Sequence, residues 1–313
     1  MPIDKKFIDQ IIRVSSKAAY ASSLLVGKND KIAADKAAVD AMRKELNLLD
    51  INGKVVIGEG ELDEAPMLYI GETLGTKNGP EIDIAVDPVE GTNFAAKNLP
   101  GALSVISIAE KGNLFHAPET YMDKIAAKVD QKNIIDLDYD IKKNLDNLAQ
   151  YKNKNIEDLV VCILDRPRHK KIIDKIHNSK AKTKLITDGD VAGALLVTKK
   201  DFKVDLFLGI GGGPEGVLAA SALDTFNCFF QGRFIFDNDE DKKRAKIMGI
   251  NDLEKKYELN EIISGDSIFC ATGITSGDLV NGIQVNDKSF VSETLVTHKS
   301  SCTKKIYKTI YKI

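Results

Sequence analysis

The stretch Asp83-Ile84-Ala85-Val86-Asp87-Pro88-Val89-Glu90-Gly91-Thr92 governs the reading of this chain. Ile82, Ile84 and Val86 alternate with Asp83, Ala85 and Asp87, the period of a strand. Pro88 has no N–H for a sheet ladder, so the strand is expected to stop there. Asp87 and Glu90 then stand three residues apart on a turn, with the Thr92 hydroxyl just beyond. Two carboxylates at a strand end can grip one hard cation, and a hydroxyl beside that cation can position a water for attack. Asp, Pro and Gly are also ordinary turn residues. Alone, the segment supports either a solvated turn or a metal-assisted phosphatase.

A second strand-then-acid junction lies upstream. Residues 55–57 run into Gly58-Glu59-Gly60-Glu61-Leu62-Asp63-Glu64-Ala65-Pro66, with four carboxylates in six residues. Such a cluster repels itself unless it is solvated or binds a cation. If the two strands are neighbours, both acid groups lie at one sheet edge, where α/β ligand sites are found. Asp35 precedes Val39, Met42, Leu46 and Leu49, which are helically spaced. It reads as a helix N-cap or as a further ligand. Ahead of it, Phe7, Ile11, Val14, Ala18, Ala21 and Leu25 form an amphipathic stripe that Gly27 ends. Residues 66–71 read as a short helix, and 103–109 with 113–117 as a hairpin around Glu110-Lys111-Gly112.

From residue 159 onward, apolar strands alternate with helices: strands at 159–164, 184–187 and 204–210, helices at 170–176, 191–197 and 217–223. That order indicates a parallel or mixed sheet covered on both faces. Residues 151–155 read as a connector, dividing the chain into 1–152, which carries the acidic loops, and 153–313. With 44 basic and 46 acidic residues the net charge is −2, which argues against a nucleic-acid surface. Cys162, Cys228, Cys270 and Cys302 form no C-x-x-C pair, and the four histidines show no metal-binding spacing. No apolar run reaches membrane length, and the charged opening does not read as a signal peptide, so a cytoplasmic enzyme is expected.

Three later segments carry chemistry. Asp188-Gly189-Asp190 follows a strand and starts a helix, where its acids cap the helix or hold sugar hydroxyls. Arg166-Pro167-Arg168 supplies guanidinium groups suited to a phosphate, or forms a solvated charge run. Gly211, Gly213 and Gly216 satisfy G-x-G-x-x-G, the pattern of a dinucleotide loop. Glu215 at the helix start would repel a pyrophosphate there, so the loop fits better as a carrier of that carboxylate. Tyr121 reads as a phosphate or sugar contact or as core.

Taken together, these segments resemble the class II fructose-1,6-bisphosphatases, the GlpX-type enzymes of gluconeogenesis. The resemblance runs in order through residues 30–31, 34–35, 56–72, 83–92, 121–122, 166–169, 188–190, 209–216 and 271–275. It implies the layered α/β/α/β/α sandwich of the lithium-sensitive sugar and inositol phosphatase superfamily, in two subdomains. It implies Asp35, Glu59, Asp87, Glu90 and Glu215 as ligands of two or more Mn²⁺ or Mg²⁺ ions, with Asp63 and Thr92 in catalysis. Substrate contacts fall on Glu90, Gly91, Thr92, Tyr121, Arg166, Pro167, Arg168, Asp188, Gly189, Asp190 and Gly212. The implied reaction hydrolyses the 1-phosphate of fructose 1,6-bisphosphate, with Arg166 and Arg168 anchoring the 6-phosphate. Sedoheptulose 1,7-bisphosphate or an inositol phosphate is the alternative substrate, and a nucleotide-binding regulator the distant one. A dimer or tetramer, with no nucleic-acid or membrane partner, is expected. Asn93 departs from the Arg of some relatives, and Gly213 from a common Ala.

Overall fold

The computed structural model describes residues 3–58 and 67–313. Backbone contacts divide the chain into Met1–His116 with Ile262–Ile313, and Ala117–Glu261.

The first unit opens with helices α1 (Phe7–Ser23) and α2 (Lys31–Leu46), followed by strands β1 (Asn52–Ile57), β2 (Thr73–Leu74) and β3 (Glu81–Glu90). Helix α3 (Thr92–Ala96) and strand β4 (Leu103–Glu110) complete this part. The stripe Phe7, Ile11, Val14 and Ala18 is buried on α1, and Val39, Met42 and Leu46 on α2. They pack with Ile82, Ile84 and Val86 of β3 and Ile106 and Ile108 of β4 in one apolar core. Asp30 is the N-cap of α2, accepting from the Ala33 N–H at 2.9 Å. Asp35 therefore lies inside the helix, and its reading as the cap is corrected.

Strand β3 does not stop at Pro88 but runs through to Glu90. Its pairing with β4 slips from Asp87↔Val105 to Glu90↔Leu103, which inserts one extra residue. Pro88 sits inside this bulge, where a missing donor costs the ladder least. The expected hairpin at 113–117 is also absent. Both edges of β4 are taken, by β3 and by β11 described below, and Leu114 makes only a single bridge to Ile263. Residues 67–71 are not helical, because Gly71 donates to the Val55 carbonyl and Val55 donates to Glu72 along β1.

The second unit alternates as expected: β5 (Tyr121–Ala127), α4 (Ile141–Lys152), β6 (Val160–Leu164), α5 (Lys170–Asn178), β7 (Lys182–Ile186), α6 (Asp190–Leu195), β8 (Leu206–Gly212), α7 (Gly213–Thr225) and β9 (Phe229–Ile235). Helix α8 (Asp239–Ile247), strand β10 (Lys256–Glu258) and helix α9 (Leu259–Ile262) follow. The sheet order is β10-β9-β5-β8-β6-β7, with β7, β6 and β8 parallel and β5 antiparallel to β8. Val161 and Ile163 face α4 and α5, while Cys162 and Phe207 face Gly193 of α6, so helices cover both faces. Residues 151–155 join α4 to β6 within this unit, so the expected division at 152 falls inside it.

The chain then returns to the first unit as β11 (Ser267–Gly273), β12 (Gln284–Asn286), β13 (Ser289–His298) and β14 (Thr303–Lys312). β11 pairs with β4, and β13 with β11 and β14, extending the sheet of β1 and β3. Each unit is thus a mixed sheet with helices packed on it. Among the described residues no helix is long and apolar enough to cross a membrane.

Candidate functional site

In the first unit, β1 and β3 are parallel neighbours, with Ile57 opposite Ala85. Their C-terminal ends therefore share one sheet edge. Gly58 sits at the end of β1, where a Cβ would lie 2.1 Å from the Leu68 carbonyl oxygen. Only glycine admits that approach of the two stems flanking residues 59–66. Arg43 of α2 secures the returning stem: its guanidinium binds the Glu72 carboxylate at 2.7 and 3.1 Å and donates to the Met67 carbonyl. Glu59 and Asp63 lie outside the described residues.

At the end of β3 the bulge decides which way the carboxylates face. In a regular strand, residues three apart point to opposite faces. Here Asp87 and Glu90 pair with Val105 and Leu103, two residues apart on β4, so both project from one face. It is the face opposite the helical core, and Glu90 is only 3% exposed on it. Gly91 follows at φ +79°, with a would-be Cβ 2.8 Å from the Phe94 ring, a position only glycine tolerates. It starts α3, placing Thr92 at the first helical residue. Helix α2, which carries Asp35, packs on both β3 and α3.

In the second unit the anticipated residues gather at one sheet edge: the C-terminal ends of β6, β7 and β8 and the start of antiparallel β5. Tyr121 pairs with Gly212, and the Arg168 guanidinium lies 4.7 Å from the Tyr121 ring centre. Arg168 also donates from Nε and Nη2 to the Ile210 carbonyl at 3.0 and 2.8 Å. Arg166 reaches Asp188 at 3.6 Å. Pro167 opens a short 3₁₀ turn (Pro167–His169) that ends on a fully buried histidine. His169 Nδ1 lies 2.7 Å from the Leu164 carbonyl, and the Ile210 N–H donates to Nε2 at 2.8 Å. One nitrogen donates and the other accepts, so the ring is neutral. Burial, aided by the Arg168 charge, holds its pKa below the ordinary histidine value. His169 thereby locks the arginine turn onto β8.

Gly189, at φ +83°, precedes Asp190 at the start of α6. A Cβ on Gly211 would meet the Asp190 carboxylate at 2.2 Å, and one on Gly212 would meet Glu215 Oε2 at 1.9 Å. The glycine run is no free loop, since Gly212 ends β8 and Gly213 begins α7. The space a pyrophosphate would take beside these glycines holds two carboxylates instead, which removes the ground for a dinucleotide reading. Against Asp190 and the Gly212 carbonyl lies a residue the sequence alone did not single out. Lys124 of β5 is 1% exposed; its ammonium binds Asp190 Oδ2 and donates to the Gly212 carbonyl at 2.6 Å. Its signal was an inward position in the alternation Met122, Lys124, Ala126. Burial pushes the Glu215 pKa up, against the attraction of Lys124 and reinforced by Asp190 and Asp188. On the other face of β5, burial lifts the Asp123 pKa to about 6, opposed by Arg233.

Each anticipated ligand, taken within its own unit, is of a type that suits a hard divalent cation. Asp35, Asp87, Glu90 and Glu215 offer only oxygen, and the desolvated Glu215 carboxylate is a group that a cation would stabilise. Among the described residues no three His, Cys, Asp or Glu side chains converge into a metal-sized group, with Glu59 and Asp63 outside that set.

The sequence matches the family model described as bacterial fructose-1,6-bisphosphatase, glpX-encoded, over residues 5–311. It is similar to the D-fructose 1,6-bisphosphatase class 2/sedoheptulose 1,7-bisphosphatase of Synechococcus sp. strain JA-3-3Ab, with 41% identity over 99% of this chain and 96% of that protein. The protein of the same name from Trichodesmium erythraeum strain IMS101 is 39% identical over 96% of this chain and 95% of its own length.

Proposed function

The chain belongs to the bacterial, glpX-encoded fructose-1,6-bisphosphatase family, and from that premise we propose how it converts fructose 1,6-bisphosphate into fructose 6-phosphate and phosphate. The observation that carries the reading is the match over residues 5–311 together with a carboxylate at each of Asp35, Glu59, Asp87, Glu90 and Glu215. These residues would hold two or more Mn²⁺ or Mg²⁺ ions. When bound, such ions neutralise the charge on the phosphoryl group and on the attacking and leaving oxygens.

The remaining work falls to the chain's own side chains. Thr92 orients the attacking water by its hydroxyl, and Asp63 serves as an acidic residue of catalysis. Arg166 and Arg168 hold the 6-phosphate; planar guanidinium groups match that anion, and the Tyr121 and Ile210 contacts keep Arg168 from swinging. Glu90, Gly91, Tyr121, Pro167, Asp188, Gly189, Asp190 and Gly212 complete the substrate contacts. Catalysis then comes mainly from positioning and charge compensation. The relatives' names also include a sedoheptulose 1,7-bisphosphatase activity, which favours that bisphosphate as a second substrate. The same reading places the enzyme in the cytoplasm as a dimer or tetramer, which light scattering on the purified protein tests for assembly.

The deciding assay is phosphate release from fructose 1,6-bisphosphate with Mn²⁺, with Mg²⁺ and with EDTA, alongside sedoheptulose 1,7-bisphosphate and an inositol phosphate. Turnover requiring a divalent ion, and near-complete loss in Glu90→Gln, are expected. Undiminished turnover in EDTA would refute the metal assignment. A preference for the inositol phosphate would refute the substrate.

A further inference from the structure

A lysine buried to 1% exposure is retained only where partners compensate the loss of water around its charge. Lys124 has two such partners, and they lie on different elements. Asp190 starts α6, Gly212 ends β8, and Lys124 itself belongs to β5. Gly212 carries more than a carbonyl. The Glu215 carboxylate rests against its Cα, in the volume a Cβ would fill. A displacement of this backbone therefore displaces Glu215. Asp190 uses one oxygen for the ammonium, while its Oδ1 is buried and accepts no hydrogen bond among the described residues. That oxygen is left for a ligand donor such as a sugar hydroxyl. Lys152 and Lys154 on Asp205 form the unit's comparison case. There the Asp205 carboxylate also accepts the Val160 N–H, at the opposite end of β6, and is saturated.

We propose that Lys124 is a positioning residue of the active site: its ammonium fixes the Asp190 carboxylate toward the sugar and, through Gly212, the direction of Glu215. This rests on the reading of Asp190 as a substrate contact and Glu215 as a metal ligand. Three carboxylates, Asp188, Asp190 and Glu215, crowd this edge, and Lys124 is the cation in contact with both Asp190 and the Glu215-bearing turn.

The test compares Lys124→Met with the pair Asp190→Asn and Lys124→Met/Asp190→Asn. Steady-state kinetics on fructose 1,6-bisphosphate are measured together with Mn²⁺ affinity, read from the free Mn²⁺ resonance in electron paramagnetic spectra without substrate. Loss of hydrogen bonds to a charged group predicts a KM raised about 10- to 100-fold in Lys124→Met, with kcat at saturation falling less. Mn²⁺ affinity is expected to fall about tenfold. The double variant removes the Asp190 charge together with that of its lysine partner, so it carries the test if the single variant does not fold. It is expected to bind Mn²⁺ more weakly than Asp190→Asn. A folded Lys124→Met with native KM and Mn²⁺ affinity, or a double variant equal to Asp190→Asn in both, overturns the proposal. Native kinetics and metal affinity in Asp190→Asn and Glu215→Gln would instead sink the site assignment on which it rests.

Discussion

Gly212→Ala should cost about 100-fold in kcat/KM and leave the melting temperature almost unmoved. The backbone of Gly212, at φ −67° and ψ 146°, is one that alanine adopts freely. The added methyl would lie 1.9 Å from Glu215 Oε2, 2.6 Å from its Cδ and 2.9 Å from Oε1. Ordinary contact begins at 3.4 Å, so the nearer oxygen must retreat by 3.4 − 1.9 = 1.5 Å. The yielding group is the far end of a flexible side chain, not backbone, so the fold absorbs the change. Reduced freedom of the unfolded chain even offsets part of any strain, by about 0.4–1 kcal/mol. A reacting geometry misplaced by about 1 Å loses on the order of 100-fold in rate. The assay is kcat/KM across a Mn²⁺ titration, with thermal unfolding measured in parallel. Activity within about threefold of native at every Mn²⁺ concentration would refute the argument that Glu215 must stand where it does.

Arg166→Ala should raise KM for the bisphosphate with little change in kcat, because a group that stays on the product contributes uniform binding; an unmoved KM would place the 6-phosphate elsewhere. Arg43→Met removes the paired contact to Glu72, whose side chain is 11% exposed, and the bond to Met67. It should cost about 2–4 kcal/mol in urea unfolding, and a loss below ~1 kcal/mol would show that the stem is held otherwise. Asp123→Asn tests a titration. The folded-state pKa, about 6 against 3.8, is raised, so the native enzyme loses stability as pH climbs from 3.8 through 6. The Asn variant should gain up to about 3 kcal/mol over native at pH 8 and nothing near pH 3.5; an equal gain at both would assign the effect to packing.

Much of the second unit was legible because its elements are locally determined. Apolar runs of strand length, helical spacing at 170–176 and glycines at turns each reflect short-range sterics. The junctions were harder. Whether residues 113–117 pair back on β4 depends on β11, which arrives more than 150 residues later and takes that edge. The capping of α2 went to Asp30 and not Asp35, a displacement that helical spacing alone leaves undetermined. The inward position of Lys124 in the alternation was easily overlooked, because a lysine inside a strand reads as solvent-facing until Asp190 and the Gly212 carbonyl are seen around it.

The segment 83–92 draws the boundary most sharply. Sequence alone determined the alternation of β3, the carboxylates that follow and the glycine at 91, since period, charge and allowed backbone angles are properties of neighbouring residues. It did not determine which way Asp87 and Glu90 point. Three residues apart, a straight strand would turn them to opposite faces. The partner strand β4, by pairing Val105 with Asp87 and Leu103 with Glu90, forces one extra residue into the ladder around Pro88 and brings both carboxylates to one face. That outcome is a matter of register between two chain segments, and only the folded sheet sets register.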